Sequence, residues 1–218
     1  MKTFDIKKEG FLWLVMLVPV IFTAIFWDKF PAKIPMHFNA AGEVDNWGGK
    51  GALFIGPGVS FALYFMLLFI PNLDPKKANY ENFRKGYYVV RVAFHIFMTG
   101  LSLFIIAYSL GMAVKAERFV PAAVCLLFMV IGNQMGNFRH NYFVGIRTPW
   151  TLENEEVWKK THRVSGRVWV ISSLIMLLLV FLLPDGNAIS VAFIAYVILI
   201  VIFSLAYSFA VSKKVGKG

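Results

Sequence analysis

The sequence lacks the common signatures of redox, metal and hydrolytic chemistry. Cys125 is the single cysteine among 218 residues, so the chain can form no internal disulfide and has no CxxC pair. The motifs HExxH and GxSxG are absent, and so is a paired-carboxylate motif. We therefore predict no catalytic residue, no metal ligand and no cofactor, which argues against an enzyme.

A polar stretch long enough to form a soluble domain is also missing. The chain is 58% hydrophobic with a mean hydropathy of +0.65, whereas soluble domains are about 45–50% apolar. The apolar residues gather in six blocks of roughly the length that spans a bilayer as a helix. They do not alternate with polar residues as the strands of a β-barrel do. The blocks cover residues 11–27, 52–71, 87–114, 119–132, 168–183 and 189–211.

These blocks predict an all-α integral membrane protein with six transmembrane helices, because backbone groups inside a bilayer must be satisfied within their own segment. We expect one polytopic domain over residues 1–218. Its N-terminal three-helix part, 11–114, contains a loop at 28–51, and its C-terminal three-helix part, 115–218, contains a loop at 133–167. The first block is long for a signal peptide and no A-x-A site follows it, so we interpret it as an uncleaved helix.

Acidic residues are scarce, with 12 against 22 lysines and arginines, which gives a net charge of +10. When the chain is threaded through six helices, sixteen basic residues fall on the side of the N-terminus and five on the other side. The positive-inside rule therefore predicts that both termini and the loop at 133–167 are cytoplasmic. Basic segments beside anionic membrane lipids account for the pI of about 9.7, so we predict lipid contacts and no nucleic-acid partner.

The predicted outer loop, residues 28–51, carries two prolines that keep its backbone extended. Every second residue from 34 to 38 is apolar, which predicts a short strand with one apolar side. Asn39 and Gly42 follow and predict a turn.

Two interpretations of this loop are open. It forms a cap over the helix ends, or it forms a surface that binds an extracellular ligand. The residues available for binding are His37, Asn39, Gly42 and Asp45. A metal site made by His37, Glu43 and Asp45 would have suitable residue types but lacks a recognised ligand spacing.

The predicted cytoplasmic loop contains a dense polar segment. Thr148 and Pro149 are typical of a helix start, and the acidic residues that follow precede the basic ones, as the helix dipole favours. Glu155 and Glu156 each stand four positions before a lysine, in the favourable direction. We predict an amphipathic helix over residues 150–163 that lies on the inner membrane surface.

Gly145 and Arg147 precede this helix and are not explained by it. Gly145 permits a tight turn, and Arg147 presents five fixed donors that suit a carboxylate or a phosphate. We expect the turn to aim Arg147 toward His95 at the inner mouth of the bundle. There it is expected to bind Glu155, Glu156 or an acidic ligand.

Arg91 and His95 lie four positions apart in the third block and therefore share a helix face. Arg91 can extend its charge to the membrane surface. Alternatively, both residues face the bundle interior, where they pair with neighbours or bind a polar ligand or a proton. Asn133, Gln134 and Asn137 end the fourth block on the same side and can form hydrogen bonds between helices.

The residues that we predict to contact a ligand or a partner lie in the two polar loops and in the third helix. They are His37, Asn39, Gly42, Asp45, Arg91, His95, Asn141, Tyr142, Gly145, Arg147, Thr148, Trp150, Glu155, Glu156, Trp158 and His162.

Two stretches resemble a known family. HFNAAGEVDNWGGK, at 37–50, is similar to the domain of unknown function at the front of SdpI-like bacterial membrane proteins, and NYFVGIRTPWTLENEEVWKKTHRVSGRVWV, at 141–170, resembles that family's signature. The resemblance implies a six-helix protein of the bacterial cytoplasmic membrane. It also implies protection of the cell against a secreted, membrane-active peptide toxin, and a transcriptional repressor held at the membrane as a second partner.

The alternative is a membrane enzyme or transporter that acts on a lipid-linked or envelope substrate. In an enzyme, His140, Glu155, Glu156 and His162 could gather around a metal. A transporter would be expected to have a helix broken near the bilayer midplane. Pro19 is the only proline near the centre of a block, so little in the sequence points to a transporter.

Overall fold

The structure is a computed structural model that describes residues 6–216. Lys2 and Lys217, which enter the predicted charge bias, lie outside the described residues. The described part contains seven α-helices, one antiparallel β-hairpin and two short 3₁₀ helices. The elements are α1 Ile6–Ile25, β1 Ile34–Phe38, β2 Val44–Gly48, α2 Ile55–Leu73, α3 Asn79–Ser109, α4 Ala116–Met135, α5 Pro149–Glu153, α6 Glu155–Leu182 and α7 Gly186–Val215, with 3₁₀ helices at Trp27–Lys29 and Lys50–Phe54.

Five of the described helical stretches are long and apolar enough to cross a membrane. They are Lys50–Leu73, Asn79–Ser109, Ala116–Met135, Glu155–Leu182 and Gly186–Val215. The apolar stretch Glu9–Ile25 is shorter and lies at the lower limit for a span, about 17 residues. The chain is thus an α-helical, multi-pass membrane protein, as predicted.

The described helices enclose several apolar clusters, and one of these clusters joins α3, α4 and α6. Helices α1, α2 and α3 share a core around Leu12, Met16 and Tyr64, and a separate apolar core joins α4, α6 and α7. Backbones of α4 and α6 touch, since a Cβ on Gly132 would lie 2.8 Å from the carbonyl oxygen of Gly166. Such close approach through small residues is typical of helix pairs in membranes. The division into two three-helix parts remains a prediction.

The loops gather on two opposite faces of the bundle. The β-hairpin meets the start of α7, where Ser190 Oγ donates to Ala40 O at 2.6 Å, and Arg118 at the start of α4 donates to Leu183 O at 3.1 Å. We call this side the hairpin face. The α2–α3 turn, the loop between α4 and α5, and the last turns of α7 form the terminal face, where the rings of Trp150 and Phe209 lie 5.0 Å apart.

The predicted surface helix over residues 150–163 is wrong in its extent. Only Pro149–Glu153 forms a separate short helix, and α6 runs without interruption from Glu155 to Leu182. The break falls at Asn154, which has an extended backbone and whose side chain accepts hydrogen bonds from the amides of residues 156 and 157. Asn154 therefore starts a new helix, and the polar residues after it form the first turns of a membrane span.

The predicted strand is confirmed as β1, but its predicted apolar side is wrong. Ile34 is fully buried whereas Met36 is 48% exposed. The register with β2 shifts between Pro35 and His37 and again between His37 and Phe38. These irregularities rotate the strand, so alternate residues do not stay on one side.

Candidate functional sites on the two faces and inside the bundle

The hairpin face presents His37 and Asp45 to solvent. Their side chains are 66% and 44% exposed, and His37 Nδ1 lies 2.6 Å from Asp45 Oδ1. The other two predicted residues of this loop shape the turn. Asn39 Oδ1 accepts hydrogen bonds from the amides of residues 41 and 43 at 2.9 and 3.0 Å. Gly42 has a φ of +85°, and a Cβ there would overlap the side chain of Glu117 on α4.

On the terminal face, the loop between α4 and α5 is built around Asn141. This side chain is fully buried, and its Oδ1 accepts from the amides of Phe143 and Val144 at 2.9 and 2.7 Å. Its Nδ2 donates to the carbonyls of Arg139 and Val144 at 2.8 and 3.0 Å. Asn141 was predicted to contact a partner, but all these bonds hold its own loop together.

Asp74 ties this loop to the α2–α3 turn. It is 2% exposed, and its carboxylate accepts from the Tyr142 amide at 2.9 Å, from the Tyr80 hydroxyl at 3.0 Å and from the Lys76 amide at 2.7 Å. Sequence reasoning missed this residue. The available signal was a lone acid directly before Pro75, at the end of an apolar block.

His162 holds the same loop against α6. The Ile146 amide donates to His162 Nε2 at 2.9 Å, so the ring proton sits on Nδ1, which donates to Trp158 O at 2.9 Å. Gly145 has a φ of +115°, and a Cβ at that position would overlap His162 Nε2. Gly145 is therefore required for this contact, and both nitrogens of His162 are occupied within the protein.

Trp158 and Thr148 also have internal roles. Trp158 is fully buried, stacks on His162 with ring centres 4.0 Å apart, and donates from Nε1 to Phe138 O at 2.9 Å. Thr148 caps α5 as predicted, accepting from the Thr151 amide at 3.2 Å while Thr151 Oγ1 accepts from the Thr148 amide at 2.8 Å. These side chains stabilise the loop between α4 and α5 and its contact with α6, and they are buried rather than exposed to a partner.

Arg147 is exposed and donates to Tyr142 O at 3.1 Å. The predicted contact with Glu155 or Glu156 is wrong, since Arg147 forms no ion pair with any carboxylate that the structure describes. Each glutamate instead lies near the lysine four residues later, at 3.8 and 2.7 Å. Arg147 therefore keeps most of its donors free at the surface.

His140 connects the loop to Lys76. Lys76 Nζ lies 2.8 Å from His140 Nδ1, and Glu155 Oε1 is 3.9 Å from the same nitrogen. Burial lowers the pKa of His140, and the ammonium of Lys76 lowers it further, so the ring is neutral and accepts from the lysine. Within residues 6–216, no three His, Cys, Asp or Glu side chains are placed to hold a metal ion.

Inside the bundle, Arg91 forms a two-pronged ion pair with Glu9 of α1, at 2.9 and 2.8 Å. Both side chains are buried, so the extension of Arg91 to the membrane surface is wrong. His95 Nδ1 lies 3.0 Å from Ser60 Oγ, while its Nε2 is buried without a described partner. Asn133 is exposed and takes no part in this cluster. Glu9 was missed because it lies 82 positions from Arg91 and before the first apolar block.

Comparison with known proteins agrees with the resemblance carried by the two motifs. The SdpI/YfhL protein family matches residues 137–208, and the Domain of unknown function (DUF1648) matches residues 14–61. The chain is 26% identical over 210 residues to Immunity protein SdpI of Bacillus subtilis (strain 168), covering 95% of this chain and 97% of that protein. No solved structure matches the chain. The predicted resemblance to the SdpI-like family is confirmed.

Proposed function

We propose that this SdpI-like membrane protein is an immunity or receptor-type protein that protects the cell against a secreted, membrane-active peptide. The observation that carries this proposal is the similarity to Immunity protein SdpI along nearly the whole of both chains. That similarity covers the hairpin, the polar loop and the span helices together, so it is not confined to one motif. A role without catalysis is part of the same proposal.

The proposal places the terminal face in the cytoplasm and the hairpin face outside. The excess of lysine and arginine on the terminal face supports this orientation. A secreted peptide would then arrive at the hairpin, where His37 and Asp45 are exposed. Helix α3, whose Ile106 shares an apolar cluster with Ile34 of the hairpin, would carry the effect of binding into the membrane.

The terminal face has the features of a docking surface for a cytoplasmic protein, such as a transcriptional repressor. Tyr142 and Phe143 are 40% and 38% exposed, and the exposed Arg147 donates to the Tyr142 carbonyl in the same loop. Aromatic residues and arginine are the types that contribute most to protein interfaces. They stand on the rigid base formed by Asn141 and Asp74, so little entropy would be lost when a partner binds.

Expression in a sensitive bacterial strain tests the proposed function. Cells that carry the full chain should survive a panel of secreted, membrane-active peptides, and survival should depend on its level in the membrane. A variant with both His37→Ala and Asp45→Ala should protect less at equal membrane abundance. The matched control is Lys29→Ala, because Lys29 lies on the same face and its ammonium group lies over the Phe26 ring. Sensitivity to every peptide at full abundance would refute the immunity function.

A transporter of an envelope or lipid-linked substrate is the second candidate. The buried Glu9–Arg91 pair and the unpartnered His95 Nε2 favour it, because ionisable groups within a membrane often mark transport or proton pathways. Purified protein in liposomes with a pH-sensitive dye inside would distinguish the two. Proton flux that His95→Gln abolishes would support transport, whereas flux equal to that of empty liposomes would remove it.

A further inference from the structure

A cavity of about 500 Å³ opens on the hairpin face between the β-hairpin and the outer end of α3. Its volume falls within the range of small-ligand sites, about 300–1,000 Å³. Its lining residues come from the segment before β1, from both strands and from the last turn of α3. They are Pro31, Lys33, Pro35, Trp47, Tyr108 and Ser109.

Two of the lining residues of this cavity are aromatic, Trp47 and Tyr108. Trp47 on β2 stands opposite Pro35 on β1 in the hairpin register and is 49% exposed. Tyr108 is fixed edge-on against Phe38, with ring centres 5.1 Å apart and an interplanar angle of 83°. Two aromatic rings favour binding of an apolar or aromatic side chain, and the fixed position of the Tyr108 ring lowers the entropic cost of binding.

Lys33 supplies a positive charge that nothing in the described hairpin neutralises. The other two lysines of this loop are engaged, since Lys29 lies over the Phe26 ring and Lys50 donates to a backbone carbonyl at 3.0 Å. Lys33 is exposed and has no ion pair or hydrogen bond with a described residue. The nearby acids are also occupied, because Asp45 pairs with His37 and Glu43 accepts from Asn39.

Ser109, another lining residue, carries a polar side chain. Its Oγ is buried and has no hydrogen-bond partner among the described residues. Buried polar atoms nearly always have a partner, so an unpaired one in a residue that lines a cavity calls for an explanation. A ligand with an acceptor oxygen would satisfy both this hydroxyl and the charge of Lys33.

We propose that this cavity binds the C-terminal residue of an apolar peptide. The side chain of that residue lies between Trp47 and Tyr108, and its free carboxylate meets Lys33 and the Ser109 hydroxyl. A C-terminal residue is favoured because it carries an apolar side chain and a carboxylate together, which matches the two halves of the lining. The inference rests on the proposed function only in assuming that the natural ligand is a secreted peptide arriving at this face.

Direct binding to the purified full chain in phosphatidylcholine nanodiscs tests the cavity. The probe is the fluorescein-labelled peptide Ala-Ala-Ala-Phe with a free C-terminal carboxylate, and binding is read by anisotropy. The same peptide with a C-terminal amide should bind about tenfold more weakly, because it loses a charge-assisted hydrogen bond. Ala-Ala-Ala-Ala with a free carboxylate should also bind more weakly, since it leaves the aromatic wall unfilled.

The variants assign these effects to residues. Lys33→Gln should abolish the preference for the free carboxylate, and Trp47→Ala should weaken the binding of all phenylalanine-containing peptides. Lys29→Gln, the matched control, should leave the preference unchanged. Equal binding of acid and amide, or an unchanged preference in Lys33→Gln, would overturn the proposal. So would loss of peptide binding in nanodiscs with phosphatidylglycerol, since the cavity would then be a lipid headgroup site.

This assay is independent of cell protection. If the peptides bind as expected but cells remain sensitive, the cavity stands and the immunity function fails. If cells are protected equally by wild type and by Lys33→Gln, and the preference for the free carboxylate is absent, immunity stands and the cavity proposal fails.

Discussion

The two faces of the molecule use similar residues in opposite ways. On the terminal face, Asn141, Asp74 and His162 are buried, and each has its polar atoms bonded to the protein's own backbone or side chains. On the hairpin face, His37 and Asp45 are exposed and bond mainly to each other.

A dense polar segment is therefore not by itself a binding site. Residues 136–148 form the loop between α4 and α5. The buried backbone groups of this loop need hydrogen-bond partners. Asn141 and His162 supply those partners, so most of the polar side chains in this segment stabilise the fold. The smaller set of polar residues on the hairpin remains available to a ligand.

Gly145→Ala should have the largest effect on stability, because it would disrupt the contact between the loop at 136–148 and His162. The added Cβ overlaps His162 Nε2, and the residue must keep a φ of +115°. Backbone strain and the lost Ile146–His162 bond together should lower the free energy of unfolding by about 2–4 kcal/mol. Unfolding in nanodiscs, followed by tryptophan fluorescence, measures it. Gly136→Ala is the control, since its Cβ would meet nothing within 4 Å; equal losses would contradict the account.

Asp74→Asn should come next. The amide group offers one acceptor oxygen where the carboxylate uses both, so at least one buried donor of Tyr142, Tyr80 or Lys76 loses its partner. A loss of about 1–3 kcal/mol is expected in the same unfolding measurement. Glu81→Gln removes an exposed acid from the start of α3 and should change little. A neutral Asp74→Asn would show that the turn and the loop are held together by other contacts.

Acid should weaken the terminal face through His140. The folded pKa of this side chain lies below its ordinary value, which is about 6.5. The unfolded chain therefore gains a proton first as the pH falls, and stability drops from about pH 6.5 downward, by at most about 1.4 kcal/mol per pH unit. Unfolding at pH 7.5 and pH 5.5 measures the drop. It should be smaller in His140→Gln, and an identical pH dependence in that variant would exclude His140 as the cause.

Arg147→Ala should change stability by less than about 1.5 kcal/mol, since it removes one exposed hydrogen bond to a carbonyl. If the terminal face is the docking surface proposed above, the effect should appear instead as reduced recruitment of the cytoplasmic partner, that is, reduced signalling, at matched membrane abundance. Arg147→Lys keeps the charge but loses the planar donor set, so it should restore signalling only in part. Lys160→Ala, which removes a solvent-exposed ion pair with Glu156, should leave signalling unchanged. Normal signalling by Arg147→Ala would remove this arginine from the docking surface.

The smallest stability effect is expected for His37→Ala combined with Asp45→Ala. Both side chains are largely exposed, and solvent-exposed pairs contribute about 0–1 kcal/mol. The unfolding measurement should therefore hardly change while cell protection falls. A large loss of stability would mean that the two faces are more alike than the structure indicates.

Local patterns predicted the spans, the first strand and the start of α5, because each depends on residues close in sequence. Thr148 with Pro149 marks a helix start wherever it occurs. Strand β2 could not be found in this way, since its sequence Val-Asp-Asn-Trp-Gly contains residues that strands disfavour. It exists because β1 lies beside it. The Glu9–Arg91 pair was equally hidden, because only the packing of α1 against α3 brings the two together.

The position of Asp74 has a consequence for how the chain is assembled. During synthesis the first three helices emerge before residue 142, so the buried carboxylate has its nearby partners Lys76 and Tyr80 but lacks its third donor, the Tyr142 amide. The N-terminal half therefore completes its hydrogen bonding only after the fourth helix has been inserted and the following loop has closed on it. A ribosome-bound chain that ends before residue 139 should hold this turn less tightly than the finished protein does.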